Sequence, residues 1–377
     1  MNIGFDAKRI FYNRTGLGNY SRSLLKGLVQ YYPQHNYHLF TPGTHQFSDF
    51  LEVNEQVIRH KPIGFLSQKL PAIWRSNWLV KDLLKAEIEL YHGLSNELPR
   101  GIENTSIKSV VTIHDLIFMH FPEQYPWVDR QLYYRKVESA IMRADLIIAA
   151  SEHTQNDIIH NFDCDPAKVK VLYQDCDPLF AEPISNEQKD ELRNKYNLRP
   201  NFILSVGTIE KRKNHISLLK AFHAGFFPQN DLVIVGKKAS AYPELQAYIK
   251  ANNLESRVKF IFNLPFKDLP GMYQLAAVFA YLSTYEGFGI PVLEALRSGT
   301  PVLASNASSI PEVAGNAALL VDPTDINLIA NCLQDLLIRP HVAAAFKENS
   351  IAHLKQFDAS ILSEKLMDYY HVLLSAH

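Results

Sequence analysis

The apolar positions of the chain follow two alternating patterns. Short, nearly continuous apolar runs read as strands buried on both faces. Between them lie stretches with apolar residues three and four positions apart, which read as helices. The runs are Asn2 to Asp6, Tyr37 to Thr41, Gln56 to His60, Ile88 to His92, Ser109 to Asp115, Asp145 to Ala150 and Val169 to Tyr173. A stretch with two prolines, Asp177 to Asn186, reads as a linker. The series then begins again with Asn201 to Val206, Asp231 to Gly236, Arg257 to Phe262, Ala276 to Leu282 and Pro301 to Ala304. Helical spacing runs through Leu24, Leu25, Leu28 and Val29, through Ser67 to Lys85, and over Thr324 to Leu337, Val342 to Phe357 and Ile361 to Leu374. Strand alternating with helix in both halves predicts an α/β protein with two doubly wound parallel sheets. The expected domains are 1–185 and 186–358.

The stretch Ser283 to Pro301 carries the strongest chemical signal. It follows an apolar strand and reads S-T-Y-E-G-F-G-I-P-V-L-E-A-L-R-S-G-T-P. The turn Gly287-Phe288-Gly289 leads to Ile290 and Pro291, where the missing proline N–H costs nothing at a helix start. Gly299 and Pro301 stop the helix. Strand, glycine turn and helix N-terminus converge unpaired N–H groups on one spot and suit an anion. Glu286 and Glu294, with seven residues between them, frame that spot. Carboxylates accept hydrogen bonds from hydroxyls and repel phosphate. The pattern therefore predicts a ligand with phosphates flanked by hydroxyl-bearing rings, such as a nucleotide-sugar.

Other stretches repeat the theme. Gly207 to Asn214, G-T-I-E-K-R-K-N, follows a strand and precedes a helix, so Arg212 and Lys213 form a second anion site. Gly16 and Gly18 open a helix in Thr15-Gly16-Leu17-Gly18-Asn19-Tyr20, a phosphate-loop signal of modest strength. Arg22 and Ser23 stand where a third glycine would complete the dinucleotide fingerprint. Ser109 to Asp115, S-V-V-T-I-H-D, ends in His114 at the carboxyl end of a strand, where ligands bind in doubly wound sheets.

The Glu286-to-Glu294 segment resembles the E-x7-E motif of retaining glycosyltransferases of family GT4, with the GT-B fold. T-I-H-D-L-I-F and the later F-P-E-Q-Y resemble a subset that includes many bacterial mannosyltransferases. The resemblance spans nearly the whole chain and implies two Rossmann-like domains facing across a cleft, with a last helix, about 359–377, returning to the first domain. It implies that Glu286 contacts the donor sugar and Glu294 the nucleotide ribose, and that Arg212 and Lys213 neutralise the donor diphosphate. Many relatives carry Arg after the first glycine of that loop; here Thr208 stands there. Gly16 and Gly18 are expected against the donor phosphates, Gly287, Phe288, Gly289 and Ile290 along the donor, and His114 near the reacting sugar. The favoured donor is GDP-mannose and the acceptor a glycan or lipid-linked glycan. A UDP-sugar donor, a nucleotide-sugar epimerase and a non-catalytic nucleotide-sugar-binding protein are the alternatives.

Composition narrows the classes further. A chain of 377 residues is long for a single core. A formal net charge of −1 calls for no nucleic acid. Three cysteines without a CxxC pair suit a reducing compartment, and no apolar run has the length of a membrane span. A cytoplasmic protein is expected. Trp74, Trp78, Lys69, Arg75, Lys81 and Lys85 within 67–85 suggest peripheral contact with the inner face of a membrane. Core packing of the same segment is the competing reading, and exposure of the two rings separates them. Asp163-Cys164-Asp165 and Asp175-Cys176-Asp177 spell D-x-D, but they lie in a loop and at the linker, so no metal or other cofactor is expected.

Overall fold

The computed structural model describes residues 1–13, 16–43, 51, 55–225 and 227–375. They divide into two compact units, 1–175 with 357–377, and 176–356. Among the described residues, the first unit holds a parallel sheet of β1 (Asn2–Asp6), β2 (Asn36–Phe40), β3 (Val57–His60), β4 (Leu90–Gly93), β5 (Lys108–Ile113), β6 (Leu146–Ala149) and β7 (Val169–Val171). Their order is β3-β2-β1-β4-β5-β6-β7. The second unit holds β8 (Ile203–Val206), β9 (Leu232–Val235), β10 (Val258–Ile261), β11 (Val278–Tyr281), β12 (Val302–Ser305) and β13 (Leu319–Val321), in the order β10-β9-β8-β11-β12-β13. Every pairing within both sheets is parallel.

Apolar residues on both faces of each strand require helices on both sides of the sheet. In the first unit, Ile3, Phe5, Leu25 and Leu28 form one core with Leu366, Met367 and Tyr370 of the last helix, Ala359–Ser375. That helix packs on the helix Gly16–Tyr31. A buried polar chain fixes it: His92 Nδ1 meets the Tyr370 hydroxyl at 2.6 Å, His92 Nε2 meets Thr112 Oγ1 at 2.8 Å, and Thr112 meets the Tyr20 hydroxyl at 3.1 Å. In the second unit, Leu218, Phe222, Leu232, Ile234, Leu303 and Leu333 belong to one core. Helix starts follow the capping chemistry. Ser151 accepts from the Thr154 N–H, Asp325 from the Leu328 N–H, and Ser185 forms a reciprocal box with Gln188.

Two expectations are corrected. The first unit ends at Asp175 rather than at 185. The stretch after it is not a free linker: Phe180 is 1% exposed and packs its ring on Tyr273 and Phe266 in the second unit. The segment 67–85 is not one amphipathic helix. A first helix, Phe65–Lys69, stops before Pro71, and Pro71 opens a second helical run to Lys85 whose middle, Trp74–Trp78, widens to a π-helix between the α-helical Pro71–Ile73 and Leu79–Lys85. Trp74 is 1% exposed and donates its Nε1–H to Asp82 at 2.7 Å. Trp78 is half-buried against the same core. Arg75 is tied to Asp6 and Glu97. The tryptophans therefore serve packing. The exposed apolar residues lie earlier, at Phe65, Leu66, Leu70 and Ile73. No helix of the described residues is long and apolar enough to cross a membrane.

Candidate active site

In the second sheet the chain winds outward from β8 in one direction and from β11 in the other. The loops after these adjacent strands diverge and leave a crevice at their carboxyl ends. The loop after β8 carries a tight turn, Lys211–Lys213, and Asn214 in the left-handed region starts the helix His215–Ala224. Asn214 is pinned by Nδ2 to the Pro323 carbonyl at 2.7 Å and accepts from Ser217 at 2.8 Å. After β11, Gly287 and Phe288 are buried and Gly289 has φ +116°, which a side chain would resist. Ile290 begins the helix Ile290–Arg297, with Pro291 in its first turn.

These loops bring Arg212, Lys213 and Glu286 together. Glu286 Oε1 lies 2.7 Å from Arg212 Nη1 and 2.6 Å from Lys213 Nζ, and accepts from the Tyr281 hydroxyl at 2.8 Å. Lys213 also donates to the Tyr281 oxygen at 2.7 Å. Arg212 donates to the Tyr285 carbonyl and to Glu210, each at 2.5 Å. Arg212 and Glu286 are 6% and 8% exposed, so this is a desolvated ion cluster and not a solvated turn. Burial alone would raise the Glu286 pKa, but Lys213 and then Arg212 overcome it and hold the carboxyl at about 2. Burial and then Glu286 push the Tyr281 phenol well above its usual range, so it remains a donor.

Glu294 lies one turn into the helix in a different environment. It is 7% exposed and accepts one hydrogen bond, from the Tyr273 hydroxyl at 2.8 Å. Among the described residues it forms no ion pair, and burial raises its pKa to about 8 against the Tyr273 hydrogen bond. Of the two carboxyls, one is ionised and the other holds its proton at neutral pH. The sequence treats both as carboxylates, because spacing says nothing about which receives a cation.

The remaining candidates belong to the first unit. His114 follows β5 and is 6% exposed. Its Nε2 lies 2.9 Å from the Leu94 carbonyl, which can only accept, so Nε2 carries the proton. Burial lowers its pKa to about 4, leaving a neutral ring at pH 7. The ring stands edge-on to Tyr20, with centroids 4.7 Å apart. Tyr20 lies on the helix that begins at Gly16. At Gly18 a Cβ would lie 2.0 Å from the Asn13 carbonyl, so that glycine is required by packing. A Cβ at Gly16 meets nothing within 4 Å. Arg22 binds the Ile10 and Asn13 carbonyls at 2.8 and 2.9 Å and closes this turn. Thr15 lies outside the described residues.

The family model described as Glycosyl transferases group 1 matches residues 188–353, and that described as Glycosyltransferase Family 4 matches residues 14–177. In both halves the chain resembles the family 4 glycosyltransferases. It is 29% identical to the O-antigen chain mannosyltransferase B of Escherichia coli, over 99% of this chain and 100% of that one. Among solved structures it resembles the sucrose-phosphate synthase of Thermosynechococcus elongatus, with TM-score 0.76 and 21% identity over 100% of both chains. It also resembles Anabaena Alr3699/HepE in complex with UDP and glucose, with TM-score 0.73 and 22% identity over 98% of this chain and 99% of that one. The two parallel-sheet units are those of the GT-B fold.

Sequence reasoning missed several residues that this glycosyltransferase uses to shape the site. Tyr281 ends the apolar strand β11, and its hydroxyl reaches Glu286 in the loop that follows. Ser308 accepts from the Glu286 N–H at 2.9 Å. Ser309 donates to the Glu286 and Phe288 carbonyls at 2.9 and 2.7 Å. These serines follow β12 and carry no motif of their own. Three of the D-x-D aspartates have local roles. Asp163 ends a helix in the left-handed region, Asp165 caps the turn Pro166–Lys168, and Asp177 caps the turn Pro178–Ala181.

Proposed function

We propose that this glycosyltransferase moves a hexose, mannose from GDP-mannose being favoured, from a nucleoside-diphosphate sugar to a saccharide or lipid-linked saccharide acceptor with retention of configuration. The observation that carries the donor reading is the buried cluster of Arg212, Lys213 and Glu286 beside the N-terminus of the helix Ile290–Arg297. Two fixed cations and the first amides of that helix suit a diphosphate. As the bond from the anomeric carbon to the phosphate oxygen breaks, they stabilise the charge gathering on the leaving group. Glu286 faces those cations and is positioned to accept from sugar hydroxyls, with the amides near Phe288 and Gly289. Glu294 meets the ribose, where two hydroxyl donors would favour its ionised form. The leaving phosphate takes the acceptor proton, and His114, neutral at pH 7, orients the sugar. The cations carry the charge neutralisation that a divalent metal would otherwise supply.

Support for mannose comes from the similarity to the O-antigen chain mannosyltransferase along the full chain. Peripheral membrane contact, where it occurs, runs through the exposed Phe65, Leu66 and Lys69. The deciding experiment incubates the protein with a panel of GDP- and UDP-sugars and follows nucleoside diphosphate release. Slow hydrolysis of GDP-mannose alone supports the reading. Preference for a UDP-sugar moves the donor, and release of a free epimerised sugar makes the protein an epimerase. The anomeric configuration of a transferred product, read by NMR, tests retention.

A further inference from the structure

Thr112 and His114 lie two positions apart at the carboxyl end of β5, so their side chains share one face of the first sheet. Tyr20, on the helix Gly16–Tyr31, spans both. Its hydroxyl meets Thr112 Oγ1 at 3.1 Å, and its ring stands nearly perpendicular to the His114 ring with centroids 4.7 Å apart. The hydroxyl is not held by Thr112 alone. Thr112 meets His92 Nε2 on β4 at 2.8 Å, and His92 Nδ1 meets the Tyr370 hydroxyl of the last helix at 2.6 Å. Tyr370, His92 and Thr112 are fully buried, and Tyr20 and His114 are nearly so. All five belong to the first unit.

The order of protons along this chain follows from burial. Burial and then the His114 ring hold the His92 pKa at about 3, so the imidazole is neutral, with one donor and one acceptor nitrogen. A threonine hydroxyl has a single hydrogen, so the direction set at His92 passes through Thr112 to Tyr20. Two orders satisfy every link, and each leaves one phenolic hydrogen over, at Tyr370 or at Tyr20. Neither hydroxyl has a second partner among the described residues. Tyr370 is sealed, whereas Tyr20 is 5% exposed and lines a cavity of about 30 Å³, room for a water. A buried donor without an acceptor is costly, so the spare hydrogen belongs at Tyr20. Donation then runs from Tyr370 to His92 Nδ1, from His92 Nε2 to Thr112, and from Thr112 to the Tyr20 oxygen.

We propose that Tyr370, His92 and Thr112 are positioning residues for the transfer reaction, acting through Tyr20 to fix the ring of His114. Two contacts orient that ring, the Leu94 carbonyl at Nε2 and the Tyr20 ring. The first fixes one atom and leaves rotation about the bond. The second resists that rotation only while Tyr20 is itself held. The cavity beside Tyr20 gives its ring somewhere to swing once the hydroxyl is released. A misplacement of about 1 Å near reacting atoms can cost on the order of 10²-fold in rate, and a partial loosening costs less. The last helix therefore does more than close a core, because it supplies the first donor of a chain that ends at His114. The effect on turnover rests on the reading that His114 orients the sugar; the positioning of the ring does not.

The test compares the full unaltered chain with Tyr370→Phe and Thr112→Val, which each remove one hydroxyl, and with Thr112→Ser, which keeps it. Tyr37→Phe is the control. Tyr37 lies in the same core and donates to the Leu28 and Tyr32 carbonyls at 3.0 and 2.7 Å, outside the chain. Turnover is read as nucleoside diphosphate release from GDP-mannose, well below every melting midpoint. Tyr370→Phe and Thr112→Val should lower kcat at least five-fold with KM within two-fold, and Thr112→Ser should restore most of it. Tyr37→Phe should keep full kcat despite a similar fall in melting midpoint. In 15N NMR of histidine-labelled protein, Tyr370→Phe should move the His114 ring resonances and Tyr37→Phe should leave them in place. His114 resonances unmoved by Tyr370→Phe, or an equal loss of kcat in Tyr37→Phe, overturn the proposal. His92 in the Nδ1–H form overturns the direction of the chain. His114→Ala, assayed alongside, separates the readings: near-normal turnover there fails the role of His114 at the sugar, while the resonances alone decide whether the chain positions its ring.

Discussion

Glu294→Gln should remove the loss of stability that this one carboxyl imposes on the second unit as pH rises. The native side chain is 7% exposed, has the Tyr273 hydroxyl as its hydrogen-bond donor and meets no cation among the described residues. Its carboxyl, which ionises near 4.5 when solvated, keeps its proton up to about 8 in the fold. Between those values the native state holds a proton that the unfolded state has released. Stability is therefore fully present below pH 4.5 and falls as pH rises through about 8. One unit of difference corresponds to about 1.4 kcal/mol, so the loss is on the order of 3 kcal/mol by pH 7 and about 4 to 5 kcal/mol above pH 8. Glutamine keeps the acceptor for Tyr273 and cannot ionise. Thermal unfolding of both proteins from pH 5 to pH 9 should show midpoints that nearly coincide at pH 5. They should separate in favour of the variant as pH rises, by roughly 9 to 18 °C at pH 8. A gap that stays constant across this range would refute the assignment of a buried, protonated Glu294. A second arm uses the donor. If ribose hydroxyls donate to Glu294, binding at pH 7 should release a proton, seen as a binding heat that scales with the ionisation enthalpy of the buffer.

Glu286→Gln should lower stability by about 3 kcal/mol in chemical denaturation, because Arg212 and Lys213 lose the carboxylate that compensates them in a desolvated site. Turnover should fall with it. His114→Ala should reduce turnover at least ten-fold while nucleoside diphosphate affinity stays within a few-fold; near-normal turnover would leave the ring a packing role against Tyr20. Trp74→Ala should cost about 3 to 5 kcal/mol through its core cavity and the loss of the bond to Asp82, whereas Phe65→Ser, at a 74% exposed position, should leave the melting midpoint within experimental error. Transfer should survive exhaustive EDTA treatment; activity lost and restored by Mg2+ would give a metal the role assigned to Arg212 and Lys213.

The sequence by itself determined the strands of both sheets except β13, whose three residues it does not mark as a strand, together with the parallel sense of both sheets and the residues of the donor loop. It could do so because buried parallel strands are continuous apolar runs, and because Gly289 and Pro291 have local backbone requirements that no distant residue changes. Tertiary structure decided what depends on partners far apart in the chain. Arg212 and Glu286 meet only because β8 and β11 are neighbours in the sheet, and that adjacency gives one glutamate two cations and leaves Glu294 with a tyrosine. The same dependence turned Trp74 inward, into a core that it shares with Tyr91, Val111 and Ile147. Local pattern fixes backbone conformation, but the charge state of a buried group is set by its neighbours, and the fold chooses those.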